Sequence, residues 1–69
     1  MNVYYKDILY NFKPGYAIVA NKDNIAFLED GTERLVLPTD KADKVVRRIY
    51  HGLHYGESNI ELDSLLKEV

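Results

Sequence analysis

The sequence predicts an α+β fold, a three-stranded antiparallel meander followed by two helices in a winged-helix-like arrangement. Three observations predict it. Short apolar runs alternate with turn-forming residues between Tyr16 and Pro38. After Pro38 the apolar period lengthens from two to about three and a half. The whole chain has 69 residues, 46% of them hydrophobic and 29% charged, which suits one small globular domain spanning residues 1–69.

The first fifteen residues read two ways. Tyr5, Ile8, Leu9 and Phe12 keep helical spacing, whereas the aromatic and β-branched content suits a strand; the spacing tips the expectation slightly to helix. Pro14-Gly15 then makes a turn into a first strand, residues 16–20. Four polar turn formers at 21–24 separate it from a second, residues 25–28. Asp30-Gly31 suits a type I′ hairpin turn, whose central residues both need positive φ, and it leads to a third strand, residues 34–37. Pro38 closes that strand because it has no N–H to extend a ladder.

Folding these strands about their turns sorts their side chains into two sets. Tyr16, Ile18, Ile25, Phe27 and Val36 fall on one side, and Ala17, Val19, Ala26, Leu28, Leu35 and Leu37 on the other. Both faces are apolar, while an antiparallel sheet ordinarily wets one. The second face is expected to be covered by Tyr4, Tyr5, Ile8 and Phe12 of the same chain, or else by a partner.

Ala42, Val45, Val46, Ile49, Tyr50 and Leu53 recur at the spacing of an amphipathic helix. Thr39 is placed to cap its start, Asp40 and Asp43 suit the positive end of its dipole, and Arg47, Arg48 and His51 suit the negative end. Gly52 is expected to terminate it in αL geometry. A second helix is expected to begin at Ser58, whose S-x-x-E spacing to Glu61 is that of a capping box, with an apolar stripe of Leu62, Leu65, Leu66 and Val69.

Composition narrows the function. Eleven acidic against nine basic residues give a net charge of −2, so a surface built to neutralise phosphates is not expected and nucleic acid is an unlikely partner class. No apolar run approaches the roughly 20 residues that cross a bilayer, and the N-terminus lacks a signal layout, so no membrane association and a cytoplasmic location are expected. A core of this size contributes only about 3–5 kcal/mol of net stability. With no cysteine there is no disulfide to add to it, which makes association with another chain an expectation of its own.

Motifs that carry chemistry are sparse. His51 and His54 form an H-x-x-H pair with Glu57 and Asp63 downstream, a donor set that zinc accepts, but Gly52 between them removes a fixed geometry, and no metal or other cofactor is expected. Ser58 has a capping role, Ser64 has no histidine at a motif spacing, and no carboxylate pair suggests acid-base work. The four glycines are isolated in separate turns, so no phosphate loop is present. The chain therefore reads as non-enzymatic, with no catalytic residues. Lys41, Lys44, Arg48 and His51 share one helix stripe able to dock an acidic segment, although Asp40 and Asp43 beside them suit a plain solvated face. Tyr4, Tyr5 and Tyr10 crowd the N-terminus, where tyrosines supply contact area at low entropic cost.

From Tyr16 onward the order strand, strand, strand, helix, glycine, helix resembles the precursor-peptide recognition elements of ribosomal peptide (RiPP) biosynthesis, the PqqD-like winged-helix domains. The residues carrying the resemblance are Ile18-Val19, Ile25-Ala26-Phe27-Leu28, Asp30-Gly31, Leu35-Val36-Leu37 ahead of Pro38-Thr39, Ile49-Tyr50-His51-Gly52, and Glu61-Leu62 through Leu66. They span about three quarters of the chain and are cues of strand and helix rather than of chemistry. The resemblance implies a domain that binds the leader segment of a precursor peptide, added as a strand along the edge of the third strand, and delivers it to a modifying enzyme. By position it implicates Arg34, Leu35, Val36 and Leu37 as peptide-binding residues. The family's wall helix has no assigned counterpart, because that family has three helices and two are read here.

The leading expectation is thus a non-catalytic peptide-binding module that works by strand addition. The alternative is a small phage-type or regulatory protein that binds and modulates a host protein, in one form as a homodimer through the apolar sheet face or the tyrosines. A winged-helix DNA binder using the Asp30-Gly31 hairpin as its wing is a weaker third reading.

Overall fold

The computed structural model describes residues 1–69 as six strands and two helices. In chain order these are β1 (Asn2–Tyr5), β2 (Ile8–Asn11), β3 (Tyr16–Ala20), β4 (Asn24–Glu29), β5 (Thr32–Pro38), α1 (Ala42–His54), β6 (Asn59–Glu61) and α2 (Leu62–Glu68). The α+β class and the two helices stand as expected. The strand count does not, because the strands form two small sheets, ordered β2-β1-β6 and β3-β4-β5.

The β3-β4-β5 sheet is the expected meander, and Asp30 and Gly31 both take positive φ, 52° and 80°, in its second turn. The facing of β5 differs from expectation. A regular hairpin about Asp30-Gly31 would set Val36 against Ile25, but Leu28 pairs with Glu33 and Phe27 with Leu35, so Arg34 is an extra residue in a β-bulge. The added residue inverts the facing of the rest of the strand. Leu35 and Leu37 join Ile18, Ile25 and Phe27 in the core, and Val36 turns to the outer face opposite Ala26.

The N-terminal segment is a β-hairpin, not a helix. Lys6 and Asp7, at φ 49° and 65°, form a two-residue turn, and Val3, Tyr5, Tyr10 and Phe12 alternate inward toward the core. Lys6 bears a left-handed strain of about 1–2 kcal/mol. Its N–H is held by the Asp63 carboxylate at 3.0 Å, and its ammonium lies over the Tyr5 ring. Phe12 does not cover the second face of the meander; it packs on the first, against Phe27 and Tyr16. Tyr4 and Ile8 are exposed.

On the other side of β1, β6 adds in parallel, and it takes up the residues expected to begin the second helix. The Ser58 carbonyl accepts the Asn2 N–H at 2.8 Å, and Glu61 stands at the α2 N-cap without a side-chain cap, so no capping box forms. A row of amides crosses this sheet: Asn11 Nδ2 donates to Asn2 Oδ1 and Asn2 Nδ2 to Asn59 Oδ1. These bonds join all three strands at matched positions of their register.

α1 lies across the inner face of the meander, burying Ala42, Val45, Ile49 and Gly52. Its ends differ from expectation. Lys41 is the N-cap, and Thr39 Oγ1 instead accepts the Lys41 N–H just before the helix. Gly52 lies inside the helix, which runs on to His54, and the left-handed glycine beyond its end is Gly56 at φ 89°. Gly52 is small because the Glu57 carboxylate packs onto it, 2.7 Å from where a Cβ would stand.

The core joins both sheets and both helices through Val3, Phe12, Phe27, Leu37, Ile49 and Leu62. Ile49 is wholly buried at its centre. Ile49→Ala is expected to cost about 2–5 kcal/mol, comparable with the whole stability of so small a domain. A urea midpoint that moved by less than about 0.5 kcal/mol equivalent would show this helix face to lie outside the core.

The two glycines separate in the same assay. Gly52→Ala is expected to be neutral or stabilising by up to about 1 kcal/mol, since alanine favours a helix interior and the displaced Glu57 side chain is flexible. Gly56→Ala, forced to positive φ, is expected to destabilise by about 1 kcal/mol or more. The reverse order of urea midpoints would restore Gly52 as the helix terminator.

Candidate peptide-binding edge

Two small sheets have four edges, and each exposes backbone donors and acceptors that need a partner or water. In β3, Asn21 donates its N–H to Asn24 across the first turn, so by alternation Ile18 turns its backbone groups outward. There the Tyr50 hydroxyl from α1 reaches the Ile18 carbonyl at 3.5 Å. In β2 the outward carbonyl of Asn11 accepts Arg34 Nη1 at 2.6 Å.

β5 has no such cover. Thr39 donates to the Asp23 carbonyl at 3.0 Å, which sets the alternation: Leu35 and Leu37 bond inward to β4, and Val36 and Pro38 face out. Pro38 has no donor to lose there. The Val36 N–H and C=O make no bond within the chain, and its side chain is 47% exposed. It ends a row, Val19, Ala26, Val36, that crosses the outer face of the sheet. Ala26 is buried between its two valine neighbours, while both valines are open to solvent.

The four residues expected to bind peptide therefore occupy three environments. Leu35 and Leu37 put their side chains into the core. Arg34 lies inward over the Phe12 ring at 4.9 Å and pairs with Glu29 at 3.2 Å as well as with the Asn11 carbonyl. Only Val36 presents both side chain and backbone to the edge.

Glu29 completes the Arg34 junction. Its carboxylate accepts the Lys13 N–H at 2.7 Å, and this bond above all holds its pKa below the ordinary value of 4.5. Desolvation pulls the other way, and the nearby Arg34 charge adds to the lowering.

The remaining candidates are dispersed. Asp63 is drawn to the Lys6 N–H and Glu57 to Arg48 at 3.4 Å, away from the histidines. His51 and His54 flank the Tyr55 ring, at 4.9 and 5.2 Å between centroids. Lys41 bonds the Val69 carbonyl at 2.7 Å. A shallow hollow at the start of α1 mixes Lys22, Lys41 and Lys44 with Asp40 and Asp43 and has no dominant charge. Sequence reasoning passed over Val19 and Ala26 as edge-side residues, because they become so only once the bulge brings Val36 into their row.

No protein family, curated protein or solved structure matches the chain in sequence or fold. No helix is long and apolar enough to cross a membrane.

Because the folded Glu29 pKa is lowered, its contribution to stability is present above 4.5 and is lost as pH falls through the folded value. Glu29→Gln is expected to be less stable than the parent at neutral pH, with the gap narrowing in acid below that point. Urea midpoints of both proteins across this range check it, and a gap that stays constant with pH would show that the ionised carboxylate is not what holds the junction.

Proposed function

We propose that this protein is a non-catalytic peptide-binding module that captures an extended segment by adding it as a strand to β5. The observation that carries this reading is the Val36 edge. Its N–H and C=O lack partners, while on the other edge of the same sheet the Ile18 carbonyl accepts the Tyr50 hydroxyl. An added strand gains affinity from such backbone groups and specificity from alternate side chains. The residue set opposite Val36 extends the Val19, Ala26, Val36 row, which favours a β-branched or aromatic side chain at that position. The resemblance to precursor-peptide recognition elements supplies the biological class: the segment is a leader, and the domain hands its cargo to a modifying enzyme.

A second reading, a small regulatory protein that binds a host protein, draws on a different surface. Tyr4 and Leu9 stand exposed directly opposite one another on one face of the β1–β2 hairpin.

The test is selection of random peptides against the folded domain, with affinities then measured for proline variants. Val36→Pro removes an outward donor and spares the inner ladder, so it is expected to fold, by circular dichroism, and to bind the selected peptides at least about tenfold more weakly. Leu35→Pro breaks an inward bond and is expected to unfold. Full binding by folded Val36→Pro would rule out strand addition at β5.

A further inference from the structure

α1 covers the inner face of the meander, so its other side points away from the β5 edge and the Val19 row. That outer side carries Arg47 and His51 at i and i+4, with Lys44 a turn before them and Tyr55 following at the helix C-cap, and together they form a ridge. Tyr55 is the most exposed large apolar residue of the chain, at 74%, and its ring lies 4.9 and 5.2 Å from the imidazoles of His51 and His54. The chain's two ion pairs are Arg34–Glu29 and Arg48–Glu57, so Lys44 and Arg47 keep unpaired charges.

Beside this ridge lies a groove of about 170 Å³ between α1, β6 and α2. Its floor is Ile60 and Leu65, and its rim carries Glu61 and Glu68, which form no ion pair. Ridge and groove meet at Arg48 and Glu57, a pair that lines the groove, and Arg48 stands one turn from His51 on α1. One molecule thus presents, side by side, a cationic ridge ending in a tyrosine and an acidic groove with an apolar floor.

We propose that a second copy of this chain occupies this face, the Arg47–Tyr55 ridge of each protomer seated in the Glu61–Glu68 groove of the other about a two-fold axis through the Arg48–Glu57 pairs. Adjacent complementary surfaces are what an isologous contact requires, since every ridge-to-groove contact then occurs twice. Tyrosine and arginine are the residues most often found to anchor such interfaces. An acidic partner of another kind would satisfy the ridge alone and leave the groove unused. The contact also offsets the small core that one copy can build.

Sedimentation equilibrium of the full chain at low salt tests the proposal, with circular dichroism confirming each variant as folded. The parent is expected to dimerise and to weaken as salt rises toward about 1 M. Tyr55→Ala is expected to loosen the dimer by at least about tenfold. Arg47→Glu and Glu68→Arg, both changes at exposed positions, are each expected to be monomeric alone, and an equimolar mixture of the two is expected to restore the dimer, because both ridge-to-groove contacts are then complementary again. Val36→Pro is expected to dimerise like the parent, which keeps this result separate from peptide binding at β5. A parent that stays monomeric at every concentration overturns the proposal. So does a dimer indifferent to both charge reversals, or a mixture that fails to restore association.

Discussion

The extra residue at Arg34 is the constraint on which the rest of this fold depends. Without a bulge, the strand after the Asp30-Gly31 turn would send Leu35 and Leu37 to solvent and leave Val36 to fill the core. With it, two leucines are buried, and each is worth roughly 1.5–3 kcal/mol of burial. The same residue joins the two sheets. Its guanidinium lies over Phe12, bonds the outward carbonyl of Asn11 and pairs with Glu29, which in turn holds the Lys13 N–H. An exposed ion pair by itself contributes little. Here the pair is part of a set in which a backbone carbonyl, a backbone N–H and an aromatic face all depend on one geometry, so the set fixes how the N-terminal hairpin meets the meander.

Small sheets must deal with their edges, and this molecule treats its edges unequally. The β3 edge gives its Ile18 carbonyl to the Tyr50 hydroxyl, and the β2 edge gives its Asn11 carbonyl to arginine. The β5 edge has a bulge at one end and a proline at the other, devices that ordinarily blunt an edge against aggregation. Between them one residue, Val36, keeps its backbone groups free beside an apolar row. Such an edge is too short to template long β-pairing, and under the proposed function it would dock one extended segment.

Much of this was legible in the sequence, and the exceptions have physical causes. The meander, its Asp30-Gly31 turn and the face of α1 led by Val45 and Ile49 arise from local periodicity and turn chemistry. The bulge has no local signature at Arg34; it is fixed by what the core demands of Leu35 and Leu37. The N-terminal hairpin was obscured because its turn uses Lys6 and Asp7 rather than glycine, held by a contact from Asp63 far along the chain. β6 was hidden for a similar reason, since Ser58 to Glu61 has the letters of a capping box, and only pairing with β1 draws them into a strand. Gly52 was misplaced as a helix end because a glycine that admits a packed side chain and one that admits positive φ look alike in one dimension. For the site, the strand was legible but the facing was not. That left Val36 indistinguishable from the three neighbours whose side chains serve the core and the junction.

The two proposed surfaces belong to opposite sides of one layer. α1 separates them, since its buried side packs on the inner face of the meander and its ridge faces away. A peptide added to β5 would extend the sheet without touching the ridge, and a dimer formed through the ridge would leave both β5 edges open. A two-fold dimer then holds two peptide sites on a rigid frame. A partner carrying two suitable segments engages the second site at an effective concentration set by its linker, and gains avidity with no new contact, provided the linker spans the frame. A single short edge centred on one residue is a weak docking point by itself. Under both proposals, pairing two such edges would raise the affinity of so small a domain for a two-segment partner, with one face given to self-association while another stays open.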